Sequence, residues 1–151
     1  MLKDERAQCC WALANSYHAA ASHLLARQTA EVVVPSLFLA LHALELHLKA
    51  FLKSDGICDK QLRSIGHDLL ACLRECKQRG FARYVALTWV GQMQIARANA
   101  YYKTKELEYF EPRAKGIGSL ERIAGVVDRV SKGVFNPITE STFRALSKQA
   151  T

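Results

Sequence analysis

The stretch from Pro35 to Leu52, PSLFLALHALELHLKAFL, decides how the rest of the chain is read. Leu37, Leu41, Leu44, Leu48 and Phe51 recur at steps of three and four and therefore share one face of a helix, while Leu39 and Leu46 add apolar surface on other faces. A helix apolar around so much of its circumference belongs at the centre of a fold. Pro35 suits its first turn, and Ser54-Asp55-Gly56 stops it. Pro35, Ser36, His42, Glu45, His47 and Lys49 make the segment too polar for a bilayer, so no membrane span is expected.

Working outward, an alanine-rich stretch from about Lys3 to Thr29 has no Gly or Pro and places Leu13, Tyr17, Ala20 and Leu24 at helical spacing, which predicts a long first helix. After Gly56 the pattern predicts a loop to about Ile65. A shorter amphipathic helix then carries Leu69, Leu70, Cys72, Leu73 and Cys76, with Lys77 and Arg79 in its last turn and Gly80 as its stop. A fourth helix is expected from about Phe81 to Tyr101, with Val85, Trp89, Met93 and Ala96 on one stripe. Residues 103–118 mix charges, aromatics, Pro112 and two glycines, and predict a loop with at most a turn of helix. Ser119 should cap a short helix bearing Ile123, Val126, Val127 and Val130, and Asn136-Pro137 should begin a last one through Phe143 and Leu146. No strand pattern is present, so the expected architecture is an all-α bundle of four main helices with short C-terminal pieces.

A chain of 151 residues that is 50% hydrophobic and 23% charged builds one packed core, and residues 1–151 are expected to form a single domain. The formal charge is +7, and it is unevenly placed. Residues 1–56 hold five bases and five acids, so the whole surplus falls after Gly56. Such asymmetry favours a polyanionic partner, nucleic acid or an acidic protein, over a neutral one. The competing reading is a domain kept dispersed by its net charge. Five cysteines make an odd count, and the charged start MLKDERAQCC lacks an apolar leader, which predicts a reducing, cytoplasmic setting. Cys72 and Cys76, one turn apart, supply only half of a tetrahedral metal site, so they are expected as buried free thiols, with no metal and no cofactor.

Three constellations could carry chemistry. On the central helix, His42 and Glu45 form an HxxE without the second copy that a di-iron bundle needs, and Glu45 precedes Lys49 by four residues. A carboxylate on a mostly buried helix must be paired, so Glu45 is expected to hold another element in place or to face a cleft. Gly66-His67-Asp68 lies where the third helix starts, with Asp68 placed to cap it and Arg63 near enough in sequence to set a phosphate beside His67. Finally, Tyr101, Tyr102, Lys103, Lys105, Tyr109, Phe110, Arg113 and Lys115 interleave rings with cations, the chemistry of single-stranded nucleic-acid contact. Glu106, Glu108 and Glu111 locally cancel much of that charge, and packing of the rings against the bundle is the alternative. Gly116-Ile117-Gly118-Ser119 is a candidate anion nest with neither a preceding strand nor a following GK[ST], and no GxSxG supports a hydrolase.

The central helix, ending HALELHLKAFL, followed at this separation by Gly66-His67-Asp68-Leu69-Leu70, resembles HEPN-domain proteins, whose second helix often reads ALELxLKAxL ahead of a GHDL turn. The likeness covers roughly residues 30–75, and Tyr101–Tyr109 looks more loosely like a Tyr/basic stretch of the same proteins. The resemblance implies a small up-down all-α bundle in which Glu45, Lys49, Gly66, His67 and Asp68 are motif residues. It also implies frequent homodimers and roles around nucleotides or RNA, including metal-independent RNases of toxin–antitoxin and defence systems. The active RNases carry Arg-x(4–6)-His late in the domain. Here Arg63 and His67 enclose only three residues, and no histidine follows His67.

The expectation is therefore a non-catalytic module that binds nucleic acid or nucleotide through its basic C-terminal half, with Lys103, Lys105, Arg113 and Lys115 as cations and Tyr102 and Tyr109 as stacking rings. A homodimeric structural or partner-protein-binding domain is the alternative, and a divergent RNase using Arg63 and His67 the third. A homodimer is also expected because the central helix looks too apolar for one short bundle to cover.

Overall fold

A computed structural model describes residues 3–27, 29–109 and 119–149. Its helices are α1 (Lys3–Leu25), α2 (Ala30–Ser54), α3 (Asp59–Ile65), α4 (Leu69–Gln78), α5 (Trp89–Tyr102), α6 (Glu106–Tyr109) and α7 (Leu120–Gln149), with a 3-10 turn at Phe81–Arg83. Among the described residues there is no strand, as the periodicity requires.

Helix α2 is the axis of the bundle and packs against α1, α7, α4 and α5. All five residues of its predicted stripe are buried, and from Ser36 onward most of its circumference is covered within one chain. The premise that a second copy is needed to cover it is thus overturned. Helix α2 is long and apolar enough to cross a membrane by length and composition, yet it is the core helix here and carries buried Glu45 and His47 midway.

The face of α1 is not the expected one. Ala7, Ala14 and Ala21 are buried, whereas Leu13 is half-exposed. Small residues spaced by seven let the α1 and α2 backbones approach closely, an arrangement that outweighs the area a leucine stripe would bury. A polar tie secures α1 to α7: the Trp11 indole donates to the Ser131 carbonyl at 3.3 Å, and the Ser131 hydroxyl donates to Asn15 Oδ1 at 2.8 Å.

Three further expectations are corrected. The segment predicted as a loop before Ile65 contains α3, opened by a Cys58–Gln61 capping arrangement. The predicted fourth helix is divided: after the 3-10 turn the chain runs non-helically through Val85–Leu87, and α5 begins at Trp89 because the Thr88 hydroxyl accepts the Gly91 N–H at 3.1 Å. The two C-terminal pieces are one helix, α7, that passes through Pro137. Proline forfeits one backbone hydrogen bond, but Ile123, Val127, Val130, Val134 and Ile138 form an unbroken buried stripe across it, and Pro137 is itself buried. Gly133 is demanded by this packing, since a Cβ there would lie 2.7 Å from the Tyr84 carbonyl oxygen.

Candidate functional site

Glu45 is 2% exposed and saturated with donors. Its Oε1 accepts Lys49 Nζ at 2.5 Å, and its Oε2 accepts the Tyr102 hydroxyl at 2.6 Å and His67 Nδ1 at 3.0 Å. A carboxylate only accepts, so His67 carries its proton on Nδ1. The Tyr102 hydroxyl spends its single proton on Glu45 and has a lone pair for His42 Nδ1, 2.9 Å away, so His42 too is protonated on Nδ1. His42 Nδ1 stands 3.8 Å from Oε2, beyond hydrogen bonding but close enough to favour its charge. Burial alone would raise the Glu45 pKa, but His42, Lys49, Tyr102 and His67 together outweigh it and hold the carboxyl well below the usual range. Burial first, and the adjacent carboxylate second, push the Tyr102 hydroxyl upward, so it remains a donor.

The GHDL turn is fastened to the same cluster. Lys49 Nζ also donates to the Gly66 carbonyl at 2.8 Å, and Gly66 takes a positive φ of 63° that an L side chain rarely adopts. Asp68 caps α4 through the Leu70 and Ala71 N–H groups, both at 3.0 Å. The Ala71 N–H is the main reason its pKa is depressed. Asn99 of α5 closes the arrangement, accepting the Leu69 N–H at 2.7 Å and donating to Asp68 at 3.1 Å. The cluster thus pins α2, the turn and α5 to one another, the use expected of Glu45 on a buried helix.

The expected nucleic-acid residues are not brought together in this way. Tyr102 is buried with its ring inside the cluster, so it offers no face to a base, which corrects the expectation that it stacks. Tyr101 packs half-buried against the core, and Tyr102 is the one that reaches Glu45 as a donor. Lys103 Nζ lies 3.6 Å from Asp68, and Lys105 is exposed at a positive φ of 62°. Tyr109 ends α6 and its side chain lies outside the described residues, as do Arg113, Lys115 and the glycines of the candidate nest. Ser119 uses its hydroxyl on Glu121 and the Arg122 N–H, at 2.6 and 3.4 Å. Arg63 is exposed on α3 with no hydrogen bond or ion pair to His67. Cys72 and Cys76 are buried and unpaired, and no group of three or more His, Cys, Asp or Glu capable of holding a metal exists among the described residues.

A second surface lies between α7 and residues 84–91. A cleft of about 200 Å³ has Leu87, Thr88 and Val90 on one wall and Arg122, Gly125 and Arg129 on the other. It adjoins a broader trough of about 780 Å³ that continues along α7 past Lys132 and Asn136 and shares Gly125 and Arg129. Trp89, 74% exposed, lies in sequence between Thr88 and Val90 of the cleft wall without lining the cleft itself. Periodicity puts Trp89 on a stripe with Val85, Met93 and Ala96, but the Thr88 cap breaks the helix before Trp89 and leaves the indole outside; Arg122 and Arg129 carry no sequence signal beyond their charge. No protein-family model, curated protein or solved structure matches this chain, and the reading of both sites rests on their own geometry.

Proposed function

We propose that this protein is a non-catalytic helical module that binds single-stranded nucleic acid through the cations of its C-terminal half. The distribution of unpaired charge supports this reading most directly. In the first 56 residues Arg6, Lys49 and Lys53 each stand against a carboxylate, and among the described side chains only Arg27 is left without one. After Gly56, Arg63, Arg74, Arg97, Lys105, Arg122 and Arg129 are exposed and have no carboxylate within ion-pair distance among the described residues. Cations left open in this way are free to replace counterions along a phosphate backbone.

The Glu45 cluster supports the non-catalytic part of the reading. His67 is held through Nδ1 by a carboxylate whose other partners are in place, and Arg63 does not reach it. The cluster orients helices; His67 keeps an open Nε2 on a half-exposed ring, but Arg63 is not beside it to hold a phosphate there. An HEPN-like arrangement is compatible with this use of the ALELHLK and GHDL residues.

Retention of the full chain on end-labelled single-stranded RNA across a salt series tests the proposal. Affinity should fall linearly on a logarithmic salt axis, and the RNA should remain intact after prolonged incubation. Salt-independent binding or no binding refutes the nucleic-acid reading, and cleavage lost in His67→Ala refutes the non-catalytic one.

A further inference from the structure

Resting on the nucleic-acid reading above, we propose that the cleft between α7 and residues 84–91 is the binding subsite: Arg122 and Arg129 take two backbone phosphates of one strand and Trp89 stacks on a base.

Arg122 and Arg129 are two turns apart on one exposed face of α7, so their anchor points are about 10.5 Å apart along the cleft. One Arg129 nitrogen, Nη1, donates to the Ala86 carbonyl at 3.2 Å. This bond orients the guanidinium against the 84–88 segment and leaves its other N–H groups available. A fixed fork of donors loses little freedom when it meets a phosphate.

Trp89 is the most exposed large apolar side chain among those described, and it opens a helix whose other end is locked by Asn99 and Tyr102. Burying it in the bundle would have served stability, yet the Thr88 cap turns it outward. An exposed indole at the N-terminal end of α5, next in sequence to Thr88 and Val90 that face the two guanidiniums across the cleft, suits an unstacked base whose phosphates lie in it, and a duplex would hide the faces that such a ring needs. The exposed ring, not charge, places an acidic protein segment second, since an acidic peptide makes no use of a flat indole near the cations.

The α7 wall of the cleft is opened by a missing side chain. Gly125 lines both the cleft and the trough, and a Cβ built on it meets nothing within 4 Å. Glycine in the middle of a helix is costly relative to leucine, and no packing in this chain demands it there. Gly133, two turns on, has a structural reason in the nearby Tyr84 backbone; Gly125 has none. Open space for a ligand is the reason the structure offers.

The test uses the full chain with labelled single-stranded RNA and single-stranded DNA of one sequence, in an anisotropy titration at several salt concentrations. Arg122→Ala/Arg129→Ala should reduce the salt slope by about 1.4, from two lost contacts at roughly 0.7 each. Trp89→Ala should weaken binding about 5- to 150-fold with the slope unchanged. Gly125→Leu should weaken binding while leaving the melting temperature equal to or above that of the parent. Equal loss for RNA and DNA means that phosphate and base face alone are read, and a larger loss for RNA means that the ribose hydroxyl contributes; both support the subsite. Parent binding that all three variants leave unchanged overturns the subsite but not the nucleic-acid reading. No binding by the parent overturns both. Self-association of the parent that Trp89→Ala and Gly125→Leu abolish, with RNA affinity intact, makes the cleft a protein contact and overturns the proposal.

Discussion

His47 should make the stability of this fold sensitive to mild acid. The residue is fully buried in α2, and neither ring nitrogen has a hydrogen-bond partner among the described residues. Its nearest titratable neighbour is His18 of α1, at a ring separation of 6.4 Å, and His18 in turn senses Asp128 and Lys132 of α7. Burial, and then His18, lower the His47 pKa from 6.5 to about 4. The unfolded chain therefore takes up the proton first, and native stability declines as pH falls below 6.5. By pH 4 the decline from this group amounts to roughly 3 kcal/mol, a large share of the stability of a domain this size. Glu45 acts in a separate window. Its folded pKa is depressed, so its contribution is present above its ordinary value near 4.5 and is lost only below it. Urea unfolding between about pH 6.5 and pH 4.5 should show a steep slope in the parent and a much flatter one in His47→Leu, with the variant at least as stable at neutral pH because no polar atom is left unsatisfied. Parallel pH profiles for the two proteins would refute the reasoning.

Glu45→Ala should cost about 3 kcal/mol, because it leaves half-buried Lys49 without its charge partner and frees His67 and Tyr102; a thermal melt within a degree of the parent would count against the clamp. Asn99→Ala removes the acceptor of the buried Leu69 N–H and should cost about 1–3 kcal/mol in denaturant unfolding. Gly133→Ala should destabilise by about 1–3 kcal/mol despite the better helix former, since its Cβ would press on the Tyr84 carbonyl, whereas Gly125→Ala should stabilise by up to about 1 kcal/mol. Equal effects at the two glycines would mean that α7 does not lie against Tyr84 as described.

The clamp and the cleft meet in α5. Asn99 and Tyr102 fix its C-terminal end to α2 and the GHDL turn, and its N-terminal end carries exposed Trp89 and the cleft-lining Val90. A binding surface on a helix held at its far end keeps its geometry without a ligand, which lowers the ordering cost of association. On the proposed reading, the buried polar cluster is the support of that surface.

What the sequence determined by itself is whatever depends on neighbours along the chain. The stripe from Leu37 to Phe51, the Asp68 cap and the Gly80 stop follow from helical spacing and from backbone groups within a turn of the residue concerned. The burial and pairing of Glu45 also followed, because a carboxylate on an apolar helix has no other stable condition. Tertiary structure decided what depends on which distant surface arrives opposite. It chose the alanine face of α1 over the leucine face, because close backbone approach is a property of two helices together. It carried α7 through Pro137, because a continuous buried stripe offsets one absent hydrogen bond. It turned Tyr102 inward to a carboxylate 57 positions earlier and left Trp89 outside, since periodicity gives two residues a shared face but cannot say whether the chain remains helical between them.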